Sequence, residues 1–229
     1  KGPMMQDHFL KARDKEFGIE LFLTPEKKPV IHGQNGISQK GEGEGYASHY
    51  YSITRLKTVG KIFLKTKEVP VQGISWMDHE FGSNQLREYQ VGWDWFSIQL
   101  ANGTDLMFYQ IRHQDGKTDP YSSGTIVFPN GAYRHLSLKE FQIEILDQWR
   151  SQKSKAIYPS KWSIKIPGQR IELILIPTVK DQELITEQST RVTYWEGSVK
   201  VEGKYRGDPI KGMGYVELTG YARPFLKGI

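Results

Sequence analysis

The chain has 229 residues, 38% hydrophobic and 25% charged, and its 31 basic and 26 acidic side chains leave a formal charge of +5. That length suits one large domain or two small ones, and no apolar run reaches the ~18–20 residues of a spanning helix, which excludes an integral membrane helix. Twelve Tyr, ten Phe and six Trp are more aromatic surface than a disordered chain carries, and the lack of cysteine excludes disulfides, thiolate metal sites and cysteine nucleophiles.

The chain opens Lys1-Gly2-Pro3-Met4-Met5, with no basic stretch leading into an apolar one, so no signal peptide is visible there. From residue 17 the dominant hydrophobic period is two. Residues 17–23, 45–54, 61–66 and 71–80 read as strands, too few to close a barrel by themselves. Gly82-Ser83-Asn84-Gln85 reads as a linker, dividing the chain into 1–84 and 85–229. Beyond it, 89–100 and 105–112 form a hairpin about Asn102-Gly103, where a type I′ turn needs positive φ at both central positions. Asp115-Gly116 and Asn130-Gly131 mark two further turns. Residues 138–147 have room for a short helix, against a β-rich composition. Strands at 162–166 and 170–176 flank Pro167-Gly168, and 192–205 and 212–221 close the series. About ten strands between 89 and 221 predict an antiparallel all-β barrel or sandwich.

Several motifs fall away on chemical grounds. Arg150, Lys153 and Lys155 form the longest basic cluster, and beside so mild a net charge they read as a solvated loop, so no nucleic-acid partner is predicted. Gly41-Glu42-Gly43-Glu44-Gly45 makes a poor phosphate cradle, because its glutamates repel an anion and no helix follows. His79-Glu80 begins a zinc-protease signature but lacks the second histidine at helical spacing, and His8, His32, His49, His113 and His135 show no ligand spacing. No metal site and no cofactor are predicted.

Two pairs on neighbouring strands suit chemistry on an apolar ligand. His49 and Tyr51 are two apart and share one face, and Trp76 and Asp78 share a face for the same reason. Burial keeps a carboxyl protonated, a positioned acid can protonate an alkene, and aromatic faces stabilise the cation that results. The alternative is that Tyr51 and Trp76 are core and Asp78 a structural partner. A second set lies further on: Trp93 and Trp95 share a face, as do Tyr194 with Glu196 and Tyr215 with Glu217. These either line a polar barrel interior or face water.

Taken together, Tyr50-Tyr51-Ser52, Gly73-Ile74-Ser75-Trp76-Met77-Asp78-His79-Glu80-Phe81-Gly82, Gly92-Trp93-Asp94-Trp95-Phe96, Tyr194-Trp195-Glu196-Gly197 and Gly214-Tyr215-Val216-Glu217-Leu218-Thr219-Gly220-Tyr221 resemble the AttH / carotenoid hydratase (hydroxyneurosporene synthase) family over residues 17–224. The resemblance implies two tandem lipocalin-like (calycin) antiparallel β-barrel domains, the first lacking its opening strands in this chain. Pairing of the open edge with a missing N-terminal fragment or a neighbouring chain is then expected. It also implies an exported protein and an apolar ligand, isoprenoid or lipid-like. The family's proposed site is a His-x-Trp pair and a Tyr-x-Asp pair with the acid as proton donor. Here His49 and Asp78 match, while the aromatics are exchanged, Tyr51 for Trp and Trp76 for Tyr.

The expected function is therefore binding of an apolar ligand, with acid-catalysed hydration of a carbon–carbon double bond as a hydro-lyase would perform it, Asp78 and His49 catalytic. Tyr51, Trp76, Trp93, Trp95, Tyr194, Glu196, Tyr215 and Glu217 are the candidate ligand-binding residues. A carrier without catalysis, or a cyclase or isomerase on an apolar substrate, is the alternative. An esterase has no residue-level support, since no Gly-x-Ser-x-Gly elbow occurs.

Overall fold

The computed structural model describes residues 6–84, 86–186, 188 and 192–224. Among them run sixteen strands: β1 (His8–Arg13), β2 (Phe17–Pro25), β3 (Val30–Ile31), β4 (Ser38–Gln39), β5 (Ala47–Leu64), β6 (Lys67–Gly82), β7 (Gln90–Leu100), β8 (Asp105–His113), β9 (Ser123–Val127), β10 (Tyr133–Ser137), β11 (Gln142–Arg150), β12 (Ile157–Ile166), β13 (Ile171–Pro177), β14 (Glu183–Ile185), β15 (Thr193–Tyr205) and β16 (Asp208–Thr219). Helix among the described residues is limited to 3-10 turns at Leu138–Glu140 and Pro167–Gln169, and no helix is long and apolar enough to cross a membrane. The fold is all-β. The chain separates into two compact units, Lys1–Ile31 with Tyr50–Glu80, and His32–His49 with Phe81–Ile229. The last residue of the expected linker, Gln85, lies outside the described residues.

In the first unit, β2 pairs antiparallel with β5 from Phe17↔Leu64 to Pro25↔Leu56, and β3 continues along the same side at Val30↔Ser52. β1 pairs with β2, and β6 takes the other side of β5. Residues 45–54 and 61–66, expected as separate strands, are one. Through 54–59 the alternation persists, with Thr54, Leu56 and Thr58 buried and Lys57 and Val59 exposed. Threonines on the buried face hide that period from a hydrophobicity pattern. Leu23, Ile53 and Leu56, with Leu21 and Met77 against them, form a small core.

In the second unit the sheet runs β10-β9-β8-β7-β16-β15-β13-β12-β11, with β14 on β15. The strand of Trp93 and Trp95 lies beside that of Glu217, at Glu217↔Trp95. Alternation sends Phe96, Ile98, Trp162, Leu173, Trp195, Val216 and Leu218 into a single core. Phe96 packs edge-on to Trp162 at 5.8 Å, and Trp162 meets Trp195 at 6.1 Å. The inner face is thus filled with side chains. Leu136 and Phe141, either side of the Leu138–Glu140 turn, also enter this core. That turn is all that remains of the helix allowed at 138–147, because Gln142–Arg150 pairs with β12. A buried bracket ties the end of β16: Arg112 Nε donates to Asp94 Oδ1 at 2.9 Å, the Tyr221 hydroxyl donates to Asp94 Oδ2 at 2.9 Å, and the guanidinium lies 3.8 Å from the centre of the Tyr221 ring.

The turns correct one expectation. Asn102-Gly103 is not a two-residue type I′ turn: Gly103 N–H donates to Leu100 O at 3.0 Å, and Gly103 alone has positive φ, +82°. This is a three-residue loop, a type I turn closed by a left-handed glycine. Asp115-Gly116 and Asn130-Gly131 repeat it, with Gly116 and Gly131 at +82° and +84°. In each loop the Asn or Asp carboxamide or carboxylate accepts from the backbone N–H two residues on, at Thr104, Lys117 and Ala132. That side-chain turn favours the three-residue form. Positive φ at both positions occurs instead at Asn35-Gly36 and Arg206-Gly207.

Candidate functional site

The Asp78 carboxyl accepts three side-chain hydrogen bonds. β5 and β6 are neighbours, and residues two apart on a strand share a face, so Tyr50 and Ser52 meet Trp76 and Asp78. All three donors converge on one oxygen: Tyr50 Oη at 3.0 Å, Trp76 Nε1 at 2.9 Å, and Ser52 Oγ reach Asp78 Oδ1. Tyr50 and Ser52 are buried, whereas Asp78 keeps exposed surface on β6. Desolvation by the surrounding sheet pushes its carboxyl above the ordinary range; the three hydrogen bonds pull the other way, and the Glu80 charge adds to the rise.

The expected companions of Asp78 separate. Trp76 joins it, but Tyr51 does not: its hydroxyl hydrogen-bonds His79 Nδ1 at 3.0 Å, with the rings 5.2 Å apart. Tyr51 and His79 each sit one residue out of phase with the Ser52–Asp78 contact and so belong to the opposite face. His49, in the second unit, is exposed, hydrogen-bonds the Gly36 carbonyl at 3.3 Å and lies 5.4 Å from the Phe81 ring. It lines a cavity of about 380 Å³ with Ile37, Ser48 and Phe81. The motif Tyr50-Tyr51-Ser52 carries an aromatic in both phases, so pattern alone could not say which tyrosine meets the acid. Tyr50 and Ser52 are the partners that sequence reasoning passed over.

The second set does come together. Trp93, Trp95, Tyr194, Glu196, Tyr215 and Glu217 lie across β7, β16 and β15 on the face away from the packed core, since Asp94, Phe96, Trp195, Val216 and Leu218 alternate with them and are buried. Glu196 stands directly opposite Glu217. Glu217 Oε1 accepts from Trp93 Nε1 at 3.0 Å. Desolvation raises the Glu196 carboxyl above its usual value. The same cause, with the two nearby glutamates, pushes the Tyr215 hydroxyl up to about 12. Like carboxylates paired across strands repel, and a raised pKa on one lessens that repulsion. Among the described residues no three His, Asp or Glu side chains group to hold a metal ion.

The profile of the AttH-like family matches residues 1–221. A crystal structure of a protein assigned as an AttH from Nitrosomonas europaea superposes with a TM-score of 0.86 at 33% identity, covering 95% of this chain and 65% of that one. Kievitone hydratase from Nectria haematococca superposes with a TM-score of 0.76 at 19% identity, covering 96% of this chain and 66% of that one, a likeness of fold. The architecture is lipocalin-like, and the chain spans about two thirds of the length of either neighbour. No curated protein matches the sequence.

Proposed function

The chain belongs to the AttH-like family, and on that premise we propose that it holds an apolar isoprenoid or lipid-like ligand and hydrates one of its carbon–carbon double bonds with Asp78 as the acid. The observation that carries this reading is the Asp78 carboxyl: held above its ordinary pKa, with Tyr50, Ser52 and Trp76 all directed at Oδ1. In the protonated form the proton sits on Oδ2, since the three donors all point at Oδ1. The alkene π bond takes that proton, forming C–H as O–H breaks, and the positive charge falls on the more substituted carbon. The face of Trp76 stabilises the cation, and the donors on Oδ1 stabilise the carboxylate left behind. Water adds to the cation, and its surplus proton returns to Oδ2, so the acid is regenerated. A protein of the same fold is named a hydratase, which agrees with this class of reaction. The aromatic face of Trp93, Trp95, Tyr194 and Tyr215, with Glu196 and Glu217, and the outlying His49 and Tyr51 remain candidate ligand contacts in this reading.

A second reading, a carrier without catalysis, draws on the surface that Asp78 keeps exposed, since a wet acid protonates poorly. One paired experiment separates them: bind and turn over an acyclic isoprenoid with wild type and Asp78→Asn. A positioned general acid contributes about 10²–10⁴-fold, so turnover should fall by that factor while binding persists. Full turnover by Asp78→Asn defeats the acid assignment. Binding without turnover by either protein makes the chain a carrier.

A further inference from the structure

A second concavity lies wholly in the second unit. Its volume is about 540 Å³, and its wall is built from the turn at 33–37, β4, Tyr109 of β8, the loop at 120–122, Ser123 of β9 and β10 at His135 and Ser137. Cavities of this size hold small ligands. The near wall is stiff, because Gln34 and Ile37 exchange two backbone hydrogen bonds of 3.0 Å about the Asn35-Gly36 turn.

The chemistry of the wall is specific. No carboxylate and no ammonium lines it; the nearby Lys40 ammonium sits over the Tyr109 ring, 3.5 Å from its centre. Burial lowers the pKa of His135 and so favours the neutral imidazole. Its Nδ1 is buried with no hydrogen-bond partner. Other polar side chains on the wall, Gln34, Asn35, Tyr121 and Ser123, make no side-chain hydrogen bond among the described residues. Ser38 Oγ and Tyr109 Oη lie 3.1 Å apart; the Tyr109 hydroxyl donates to the Gln39 carbonyl at 3.3 Å, so its oxygen is left to accept. Ring faces of tyrosine and the apolar Ile37 and Pro120 complete the lining. Unspent, uncharged donors and acceptors set among apolar rings match a ligand with hydroxyls at its rim and C–H groups on its face. A charged ligand finds no counter-ion among the lining residues.

We propose that this cavity is a binding site for a neutral, ring-shaped polyhydroxylated molecule of the carbohydrate type, separate from the chemistry at Asp78. The test uses the whole chain with methyl α-glucoside, maltose and myo-inositol as probes, and acetate and 1,6-hexanediol as controls. Imidazole-selective NMR follows His135 against His79. At least one probe should shift the His135 signals saturably, with a Kd of about 1 mM or tighter, and leave His79 unmoved. Tyr109→Phe combined with Ser123→Ala keeps the ring and should weaken that probe at least about tenfold. Should the double variant melt early, Gln34→Ala, at the exposed mouth, gives the same readout. No saturable shift from any probe, shifts confined to the first unit, undiminished affinity in the folded variants, or tighter binding of acetate than of the sugars would each overturn the proposal.

Discussion

Replacing Asp78 by Ala and by Asn separates the acceptor role of its carboxyl from its charge. The Ala variant removes the oxygen on which Tyr50, Ser52 and Trp76 converge. A net hydrogen bond contributes about 0.5–1.5 kcal/mol, so three set an upper bound of roughly 4.5 kcal/mol. Solvent reaches the exposed Asp78 and can replace part of what is lost, so the expected cost is about 2 kcal/mol. For a chain of this size that is a fall of about 4–8 °C in Tm. The Asn amide oxygen can still accept, so its cost at neutral pH should be small. The sign of the pH dependence follows from the raised pKa. The folded chain holds the Asp78 proton more tightly than the unfolded one, whose carboxyl has a value near 3.8. The resulting stability is complete below that value and is lost as pH climbs through the folded one. Asp78→Asn, neutral throughout, escapes that loss, so its Tm relative to wild type should rise between about pH 4 and pH 7. Paired thermal melts at both pH values read this difference. If Asn at pH 7 costs as much as Ala, or gains nothing over wild type on going from acid to neutral, the account of Asp78 as a carboxyl favoured in its protonated form is wrong.

Two further expectations concern the second unit. Arg112→Ala leaves the buried Asp94 without the guanidinium that faces it at 2.9 Å, and should cost about 3–5 kcal/mol in urea unfolding, much of it recovered by adding Asp94→Asn. At Gly203 a side-chain carbon would stand 2.0 Å from the Glu172 carbonyl oxygen, so Gly203→Ala should lower stability by about 1–3 kcal/mol, whereas Gly73→Ala, with nothing within 4 Å, should show none of that crowding loss in the same denaturation assay.

The all-β class was legible because period two persists through nearly every segment, and because a strand that buries one face must alternate. The hairpin positions were legible from their Asn-Gly and Asp-Gly pairs, although the loop type was not: the Asn102, Asp115 and Asn130 side chains accept from backbone N–H groups two residues on, and that contact, absent from any dipeptide rule, selects the longer loop. The length of β5 was hidden because Thr58, on the buried face of the stretch that joins its two expected pieces, reads as polar. Alternation also told that Trp76 accompanies Asp78, and that Trp93, Trp95, Tyr215 and Glu217 fall on faces two residues apart. It could not say which face meets which. Tyr50 and Tyr51 are equally aromatic, and only the pairing of β5 with β6 sets Tyr50 on Asp78 and Tyr51 on His79. A shift of one residue in that register exchanges the two faces. The cavity about Tyr109 and His135 gathers residues from 33 to 137. Local pattern carries the faces of each strand, while long-range register and the folding of distant loops onto one another decide which faces become a site.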